Sequence, residues 1–581
     1  MTDYKIKSYL NDILDTYSEP LQRIDGLVRD AKEVIRTVEF YSLDQYLSGD
    51  KDELGREKPF INHGNSRVRV AKTATDIDVK DIRYEPDDLE YAVEAMLINH
   101  ELYKWMKESN FSLTLNEMGL TRPKYGGVLI KKYDDGEGME IEVADWVNVD
   151  FNQSNILGSP IVETHWMQPS ELIKKSEVWT GYDDVMEVIA VHAKANKNKP
   201  RPIEVKEITG EFSYSFDPRE GESPENDKKF KTMCFYIACI NSKKYLLYVE
   251  DVKESKYKYL AWEKIGEGLG RGVWEEGFQS QVWINDQYIQ MKNALDLSGK
   301  VFTKGSVKGL GNAIVGVDNG HHFELKPNET MEAFQLSTNA LPQFTNLIQQ
   351  FSNEYNRISS TFDANTGEQP PSGTPLGQTQ ILNQVANSPF QYQQEVWGIF
   401  LNEVLNDWVL PEVKKRILKD HTLVSDFSDE ELEIIDKDIV GDYTNQMTIE
   451  KILSGEIVQD GEQEMMAQQA KQELMRKYKN KRQIKIPKGY LDIEGKITAN
   501  ITGELKNKGA MLQSLDSVFK TVVSTFNPNT GKYAALEDPV LKKIFAQIVE
   551  MSGIPFSSAQ LSSGNQPTSM TAQATTAPAM A

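Results

Sequence analysis

Two helical patterns, separated by a segment rich in glycine and proline, constrain this sequence more than any other feature. Apolar residues recur every three or four positions from 341 to 362, which predicts one helix with a continuous apolar seam. Residues 363–377 carry repeated glycines and prolines and predict a loop, because neither residue type continues a helix. A second helical pattern runs from 378 to about 410, and Pro389 inside it predicts a kink.

The polar residues of this stretch are mostly uncharged amides and hydroxyls. Between positions 333 and 394 the only charged residues are Glu354, Arg357, Asp363 and Glu368, whereas 26% of the whole chain is charged. Such a surface suits a helix that faces identical neighbours, or a passage through which a highly charged molecule must slide. The alternative is an uncharged polar helix in a monomer.

Composition limits the class of protein. The chain has 581 residues and a net charge of −22, which argues against a protein that wraps nucleic acid with a broad basic face. Cys234 and Cys239 are five residues apart in a predicted strand and therefore on opposite faces, so we expect free thiols and a reducing compartment. We expect neither a secretory signal nor a membrane span, because the N-terminus is charged and no apolar run of about 18 residues occurs.

Periodicity predicts the remaining elements. The wide apolar arc of a helix at 274–298 predicts two neighbours rather than one. Over 10–38 the sequence predicts one long helix, or two helices joined at Pro20. It further predicts a short strand at 67–70, a hairpin of 127–130 with 141–143, antiparallel strands over 203–249, helices at 429–438, 448–478 and 512–522, and a strand at 496–502.

Motifs that would carry catalysis are missing or incomplete. Glycines at 266, 268, 270 and 272 do not fit the dinucleotide-binding spacing, and no phosphate-loop lysine follows, so we interpret them as a flexible hinge. Adjacent side chains in a strand point apart, so His321 and His322 do not form a metal site. We therefore predict no catalytic residue, no metal and no cofactor, and favour a structural or assembly protein over an enzyme.

The basic run at 476–488 has two interpretations. It contacts nucleic acid or an acidic partner, or its cations merely end a helix that leads into an exposed strand.

The order of these elements resembles that of the portal proteins of tailed bacteriophages, of the podovirus-like or crAss-like type. In that family a wing of strands and helices precedes a stem helix, an inserted clip, a second stem helix, a tunnel loop, a long kinked helix and a crown. The segment Ser372-Gly373-Thr374 is similar to one often found in the tunnel loop. Thr75-Asp76-Ile77, Pro86-Asp87-Asp88 and the Gly126-Gly127 hairpin also look like portal features.

The resemblance implies an α+β, mainly helical portal fold that assembles into a ring. Its expected parts are a wing at 1–265, a first stem helix at 266–298, a clip at 299–330, a second stem helix at 331–362, a tunnel loop at 363–377, a long kinked helix and remaining wing at 378–500, crown-like helices at 501–556 and a disordered tail at 557–581.

The resemblance also implies a function and a set of site residues. Portals are rings, usually of twelve subunits, through which double-stranded DNA enters and leaves the capsid. Expected partners are the terminase large subunit, the major capsid protein and the head–tail adaptor or neck proteins, without a membrane. The channel would be lined by Asp363, Glu368, Gln369, Pro370, Pro371, Ser372, Gly373 and Thr374. The clip would bind terminase and neck through Lys300, Lys304, Lys308, His321 and His322, and subunits would pack through Trp274, Phe278, Phe344, Phe351, Tyr355 and Phe362.

Two rival functions stay open from the sequence. One is a nucleic-acid-processing enzyme or its accessory subunit, using the glycine run and the basic run. The other is a different ring-forming head–neck connector, although such adaptors are usually much smaller.

Overall fold

The computed structural model is a mixed α/β protein in which all pairings between the described strands are antiparallel. It describes residues 2–19, 21–22, 28–52, 55–88, 91–134, 138–176, 179, 182–195, 201–220, 225–241, 243–298, 301–306, 325–335, 341–360, 376–419, 444, 491, 493–499, 526–527 and 532–533. The chain divides into two compact units. The first comprises Met1–Asp76 and Ser112–Trp397, and the second comprises Ile77–Phe111 and Gly398–Ala581.

The described helices are α1 Thr2–Tyr17, α2 Ala31–Ser42, α3 His63–Ala74, α4 Ala92–Glu108, α5 Phe111–Tyr125, α6 Pro169–Ser176, α7 Tyr182–Ala195, α8 Val273–Ser298, α9 Leu341–Ile358, α10 Leu376–Val404 and α11 Leu410–Lys419; a π-helical turn, Leu405–Val409, joins the last two. The described strands are β1 Leu21–Gln22, β2 Val28–Arg29, β3 Ile82–Pro86, β4 Gly127–Asp134, β5 Met139–Val143, β6 Val149–Asp150, β7 Ile161–Met167, β8 Ile203–Ser213, β9 Phe230–Ile240, β10 Lys243–Asp251, β11 Tyr257–Ala261, β12 Val301–Gly305, β13 Met331–Gln335, β14 Gly495–Ala499, β15 Phe526–Asn527 and β16 Lys532–Tyr533.

A five-stranded sheet in the order β10-β9-β8-β7-β6 forms much of the first unit. Its two faces are covered by different helices, because residues alternate between the faces along each strand. On one face, Ile6 and Leu10 of α1 pack with Ile208 and Phe235 in one apolar core. On the other, residues of α6 and α7 pack with Val205 in a second core.

A three-stranded sheet in the order β11-β4-β5 adjoins the largest core of the first unit. Residues of α2, α3 and the start of α8 meet here around Trp146 and Trp274, each no more than 2% exposed. The Trp146 indole donates a hydrogen bond to the Gly127 carbonyl at 2.9 Å, which satisfies the one polar atom of that buried ring.

In the second unit, β3 pairs with β14, and amide side chains complete the hydrogen bonding of β14. Asn406 both accepts from the Ile497 N–H at 2.7 Å and donates to the Ile497 carbonyl at 2.8 Å. Asn402 accepts from the Ala499 N–H at 2.7 Å. Asn402 and Asn406 thus make the backbone hydrogen bonds that a neighbouring strand would otherwise make with the described part of β14.

The predicted strand at 67–70 is wrong, because these residues lie within helix α3. Alternating arginine and valine imitate the period of a strand. The buried residues are instead Gly64, Arg67, Val68 and Ala71, which follow the three- and four-residue spacing of one helix face. Because Arg67 is charged but only 8% exposed, a search for apolar residues at helical spacing misses this face.

Of the two alternatives over 10–38, one long helix is wrong; two helices occur, although a pair of short strands rather than a direct join at Pro20 separates them. Helix α1 ends at Tyr17, and β1 and β2 form a small antiparallel pair before α2. The Asp30 carboxylate accepts from the Lys32 and Glu33 N–H groups at 3.0 and 3.3 Å, which fixes a new helix start.

Two glycines of the run before α8, Gly270 and Gly272, are held by close backbone packing, whereas nothing lies within 4 Å of a Cβ atom placed on Gly266. A Cβ atom on Gly270 would lie 2.4 Å from the Gly126 carbonyl oxygen, and one on Gly272 would lie 2.6 Å from the Gly126 nitrogen. Two chain segments approach here so closely that only glycine fits.

Other predicted elements are confirmed. The hairpin at 127–143, the antiparallel strands over 203–249, the helix at 274–298 and the described part of the strand at 496–502 all occur within a few residues of their expected bounds. Cys234 and Cys239 are free thiols. The predicted elements at 429–438, 448–478 and 512–522 lie outside the described residues.

Candidate assembly surface

Helices α8 and α9 lie side by side in the first unit and pack through a glycine. Tyr355 of α9 is fully buried, and its ring fills the space beside Gly277 of α8. A Cβ atom at position 277 would lie only 1.6 Å from Tyr355 Cε2. A little further along the pair, Trp283 and Phe351 stack with ring centroids 5.8 Å apart.

The first half of α8 is anchored to the N-terminal part of the chain. Arg29 makes a two-pronged ion pair with Glu275, with nitrogen–oxygen distances of 2.7 and 2.5 Å. The Gln281 side chain accepts from the His63 and Gly64 N–H groups at 2.9 and 3.0 Å and donates to the Ile61 carbonyl at 2.6 Å. The last buried side chain along the described part of the helix belongs to Gln287, which is 6% exposed. Beyond it, Lys292 donates to the Glu57 carbonyl at 2.8 Å and Asp296 lies 3.7 Å from Arg56, so the C-terminal half is held by exposed contacts.

Apolar side chains remain exposed along this helix pair. Trp283 is 50% exposed and Leu347 is 38% exposed, and Leu295 and Ile358 are also exposed. Phe344 and Phe351 are half-buried. We refer to Trp283, Leu347 and Phe351 as the outer face of the α8–α9 pair.

Helix α9 carries no net charge. Its only charged residues, Glu354 and Arg357, lie one turn apart with a nitrogen–oxygen distance of 3.9 Å, and both are exposed. The surrounding polar groups are amides and hydroxyls, and Gln349 donates to Asn353 at 3.1 Å. Arg357 is therefore the one cation of helix α9 that could pair with a phosphate, and Glu354 lies beside it with the opposite charge.

Strands β12 and β13 lie between α8 and α9 in the chain and pair with each other from Val301–Gln335 to Gly305–Met331. Lys304 of β12 is exposed. The other predicted clip residues, Lys300, Lys308, His321 and His322, lie outside the described residues. So do Phe362 and residues 363–375 of the predicted tunnel loop, whereas Leu376 and Gly377, predicted as the end of that loop, begin helix α10.

The predicted subunit-packing residues separate into two groups. Trp274 and Tyr355 are fully buried within the chain, where they hold α8 and α9 in place. Phe278, Phe344 and Phe351 are partly exposed. Packing between copies stays a prediction. It now depends on the outer face, which includes Trp283 and Leu347, two residues that were not among the predicted packing positions.

A cluster of charged side chains lies elsewhere in the first unit, where β4 and β11 approach the five-stranded sheet. Ligand atoms of Glu163, His165 and Glu207 lie within 4.8 Å of one another, as in a metal site. However, the Lys131 ammonium lies 2.9 Å from Glu163 and 2.5 Å from Glu207. This side chain supplies the positive charge that the two carboxylates require, so the cluster does not call for a metal ion.

The pKa shifts of Lys131 and Glu207 favour the charged form of both side chains. Burial disfavours both charged forms, but the carboxylates of Glu207 and Glu163 raise the pKa of Lys131, and Lys131 holds the pKa of Glu207 well below its usual range. Burial raises the pKa of the neighbouring Cys234 thiol and Tyr257 hydroxyl. A base or nucleophile needs the opposite shifts, so these residues stabilise the contact between the two sheets.

No protein-family model matches the sequence, and a search of curated proteins finds no match. Among the described helices, none is long and apolar enough to cross a membrane.

Proposed function

We propose that this chain is the portal subunit of a tailed bacteriophage. Copies form a ring, expected to have twelve members, at one vertex of the capsid. Double-stranded DNA is packaged through the ring and later ejected through it. The subunit itself has no catalytic role, and it acts in the virion after assembly in the host cytoplasm.

The observation that supports this proposal best is the α8–α9 pair with two strands between its helices. The pair leaves an apolar outer face on a chain with a net charge of −22. In a ring, each copy has a neighbour on either side, and such neighbours would remove this face from water. A helix α9 with no net charge would also suit a passage that must not hold DNA.

The remaining partners follow from the resemblance in element order. The terminase large subunit, and later the head–tail adaptor or neck proteins, would dock on the segment around Lys304. The major capsid protein would surround the ring. The loop from Asp363 to Thr374 would line the narrowest part of the channel.

The solution mass of the purified protein tests the ring. Twelve copies of the 66.0 kDa chain amount to about 790 kDa. We expect a species of that size with round particles and a central hole in negative-stain images. A monomer that binds or hydrolyses nucleotide would overturn the proposal in favour of a nucleic-acid enzyme.

Leu347→Lys tests whether the outer face joins the copies. A charge at this exposed apolar position should prevent ring formation and leave the helical content of the chain unchanged, because Leu347 is not part of the buried core. Thr345→Lys is the matched control, since Thr345 is exposed on nearly the opposite side of α9. Rings that form equally well with both variants would show that the outer face is not the interface.

Deletion of residues 368–374 tests the channel loop. We expect ring assembly to continue while packaging or retention of DNA is impaired. Particles with an unchanged DNA content would contradict this role.

A further inference from the structure

The five-stranded sheet of the first unit has one long free edge. Strand β10 is nine residues long, and among the described strands only β9 pairs with it. The opposite edge strand, β6, is two residues long. Alternate residues of β10 must direct their backbone N–H and C=O groups away from β9, which leaves a row of donors and acceptors.

This free edge is the floor of a groove of about 610 Å³. The floor consists of Tyr245–Val249. Lys7 of α1 lines one side and Glu187 and Val188 of α7 line the other, because these helices cover opposite faces of the sheet. Pro218 and Arg219, from the segment after β8, complete the lining.

The chemistry of the groove fits an extended peptide. Its floor offers backbone groups over about 17 Å, the length of five residues in a strand. Pro218 and Leu246 are the apolar groups that the groove exposes, whereas Val188, Leu247 and Val249 line it from within the buried cores. Among the described residues, Glu187 in the lining and Lys243 at the start of β10, outside the lining, have no ion pair, so one cation and one acid on the peptide would complement them.

The edge of β10 disfavours pairing with the edge of a second sheet. A β-bulge between Leu246 and Tyr248 twists the edge, and Lys243 and Lys244 lie at its start. Twisted and lysine-bearing edges disfavour flat pairing between two sheets, whereas a single flexible segment can follow the twist.

We propose that the β10 groove binds an extended segment of a partner protein, which adds to the sheet as a sixth strand. The segment has about five to eight residues with apolar side chains at alternate positions, a basic residue near Glu187 and an acidic residue near Lys243. Main-chain hydrogen bonds to β10 supply the binding, and the exposed Pro218 and the half-buried Leu246 together with the charge of Glu187 select the side chains. The inference does not depend on the proposed ring.

The test uses the full chain and a panel of fluorescent eight-residue peptides. Each peptide alternates Val, Ile or Leu with Thr and carries one terminal Lys and one terminal Glu, in either order. We expect saturable binding by at least one peptide, together with slower amide hydrogen exchange at residues 245–249. N-methylation of alternate peptide amides should weaken binding at least about tenfold, because each lost hydrogen bond reduces the affinity several-fold.

Substitutions on α7 locate the site. Glu187→Arg places a charge of the wrong sign against the basic residue of the peptide and should weaken binding about two- to fivefold. Met186→Arg is the control, because Met186 is exposed on the same helix but does not line the groove. Equal binding by both variants would overturn the inference. So would equal binding of the N-methylated peptide, or exchange protection outside residues 245–249, or no binding by the whole panel.

Discussion

Replacing Gly277 by alanine tests the packing of the α8–α9 pair directly. The added Cβ would lie 1.6, 2.2 and 2.3 Å from three carbon atoms of the Tyr355 ring. Carbon atoms in contact are normally about 3.5–4.0 Å apart, so the ring would have to move by roughly 2 Å. Tyr355 is fully buried and has little room to move.

The free-energy change has two opposing parts. Alanine is favoured over glycine within a helix by about 1 kcal/mol. Overpacking in a core costs about 1–3 kcal/mol and sometimes more, and a 2 Å displacement belongs at the upper end. We therefore expect a net destabilisation of the helix pair by about 2 kcal/mol.

The rate of amide hydrogen exchange in α8 and α9 reports the local stability of the helix pair. A loss of about 2 kcal/mol should speed exchange in these helices roughly 30-fold. Gly119→Ala in α5 is the matched control, because its Cβ would meet only Lys72 Cγ at 3.8 Å, and it should be neutral or slightly stabilising. If both variants behaved alike, the contact between Gly277 and Tyr355 would be refuted. Tyr355→Leu should partly rescue Gly277→Ala by removing the ring.

Three further predictions concern charged side chains. Glu207→Gln should destabilise the first unit by about 3–5 kcal/mol in urea unfolding, because it breaks a buried pair with Lys131, while Glu211→Gln on the exposed side should have no effect. Burial and the neighbouring Glu263 raise the pKa of Glu276 from 4.5 to about 8, so the native state binds this proton more tightly than the unfolded state, and stability should fall as the pH rises from about 4.5 to about 8. Glu276→Gln should abolish this fall in stability, which is measured as the melting temperature at a series of pH values. An unchanged slope of melting temperature against pH would contradict the prediction. Charge reversal of Lys304 and Lys308 should weaken binding of the terminase large subunit, and equal affinity would refute this role.

The sequence predicted elements with a regular apolar period well. Helix α9 was predictable because Phe344, Phe351 and Tyr355 repeat at helical spacing. Helix α3 was not, because a buried arginine stands where the pattern requires an apolar residue. Local periodicity reports burial only when the buried residues are apolar.

Contacts between distant segments could not be predicted. Gly277 and Tyr355 are 78 positions apart, and nothing near either residue shows that one receives the other. Lys131, Glu163 and Glu207 come from three different strands, and each has the sequence context of an ordinary surface charge. The exposure of Trp283 also depends on tertiary packing, because its spacing alone does not distinguish a core position from an outer one.

The anchoring of α8 has a mechanical consequence. The helix is about 39 Å long. Its first half is held by Trp274, the Arg29–Glu275 pair and Gln281. Its second half is held by exposed contacts, from Lys292 to the Glu57 carbonyl and from Asp296 to Arg56. It therefore resembles a beam with a rigid root and a weakly supported far end, and a sideways load at Ser298 is carried mainly at the root. Softening the root, for example by removing the Arg29–Glu275 pair, would increase the deflection of the far end without changing any residue there.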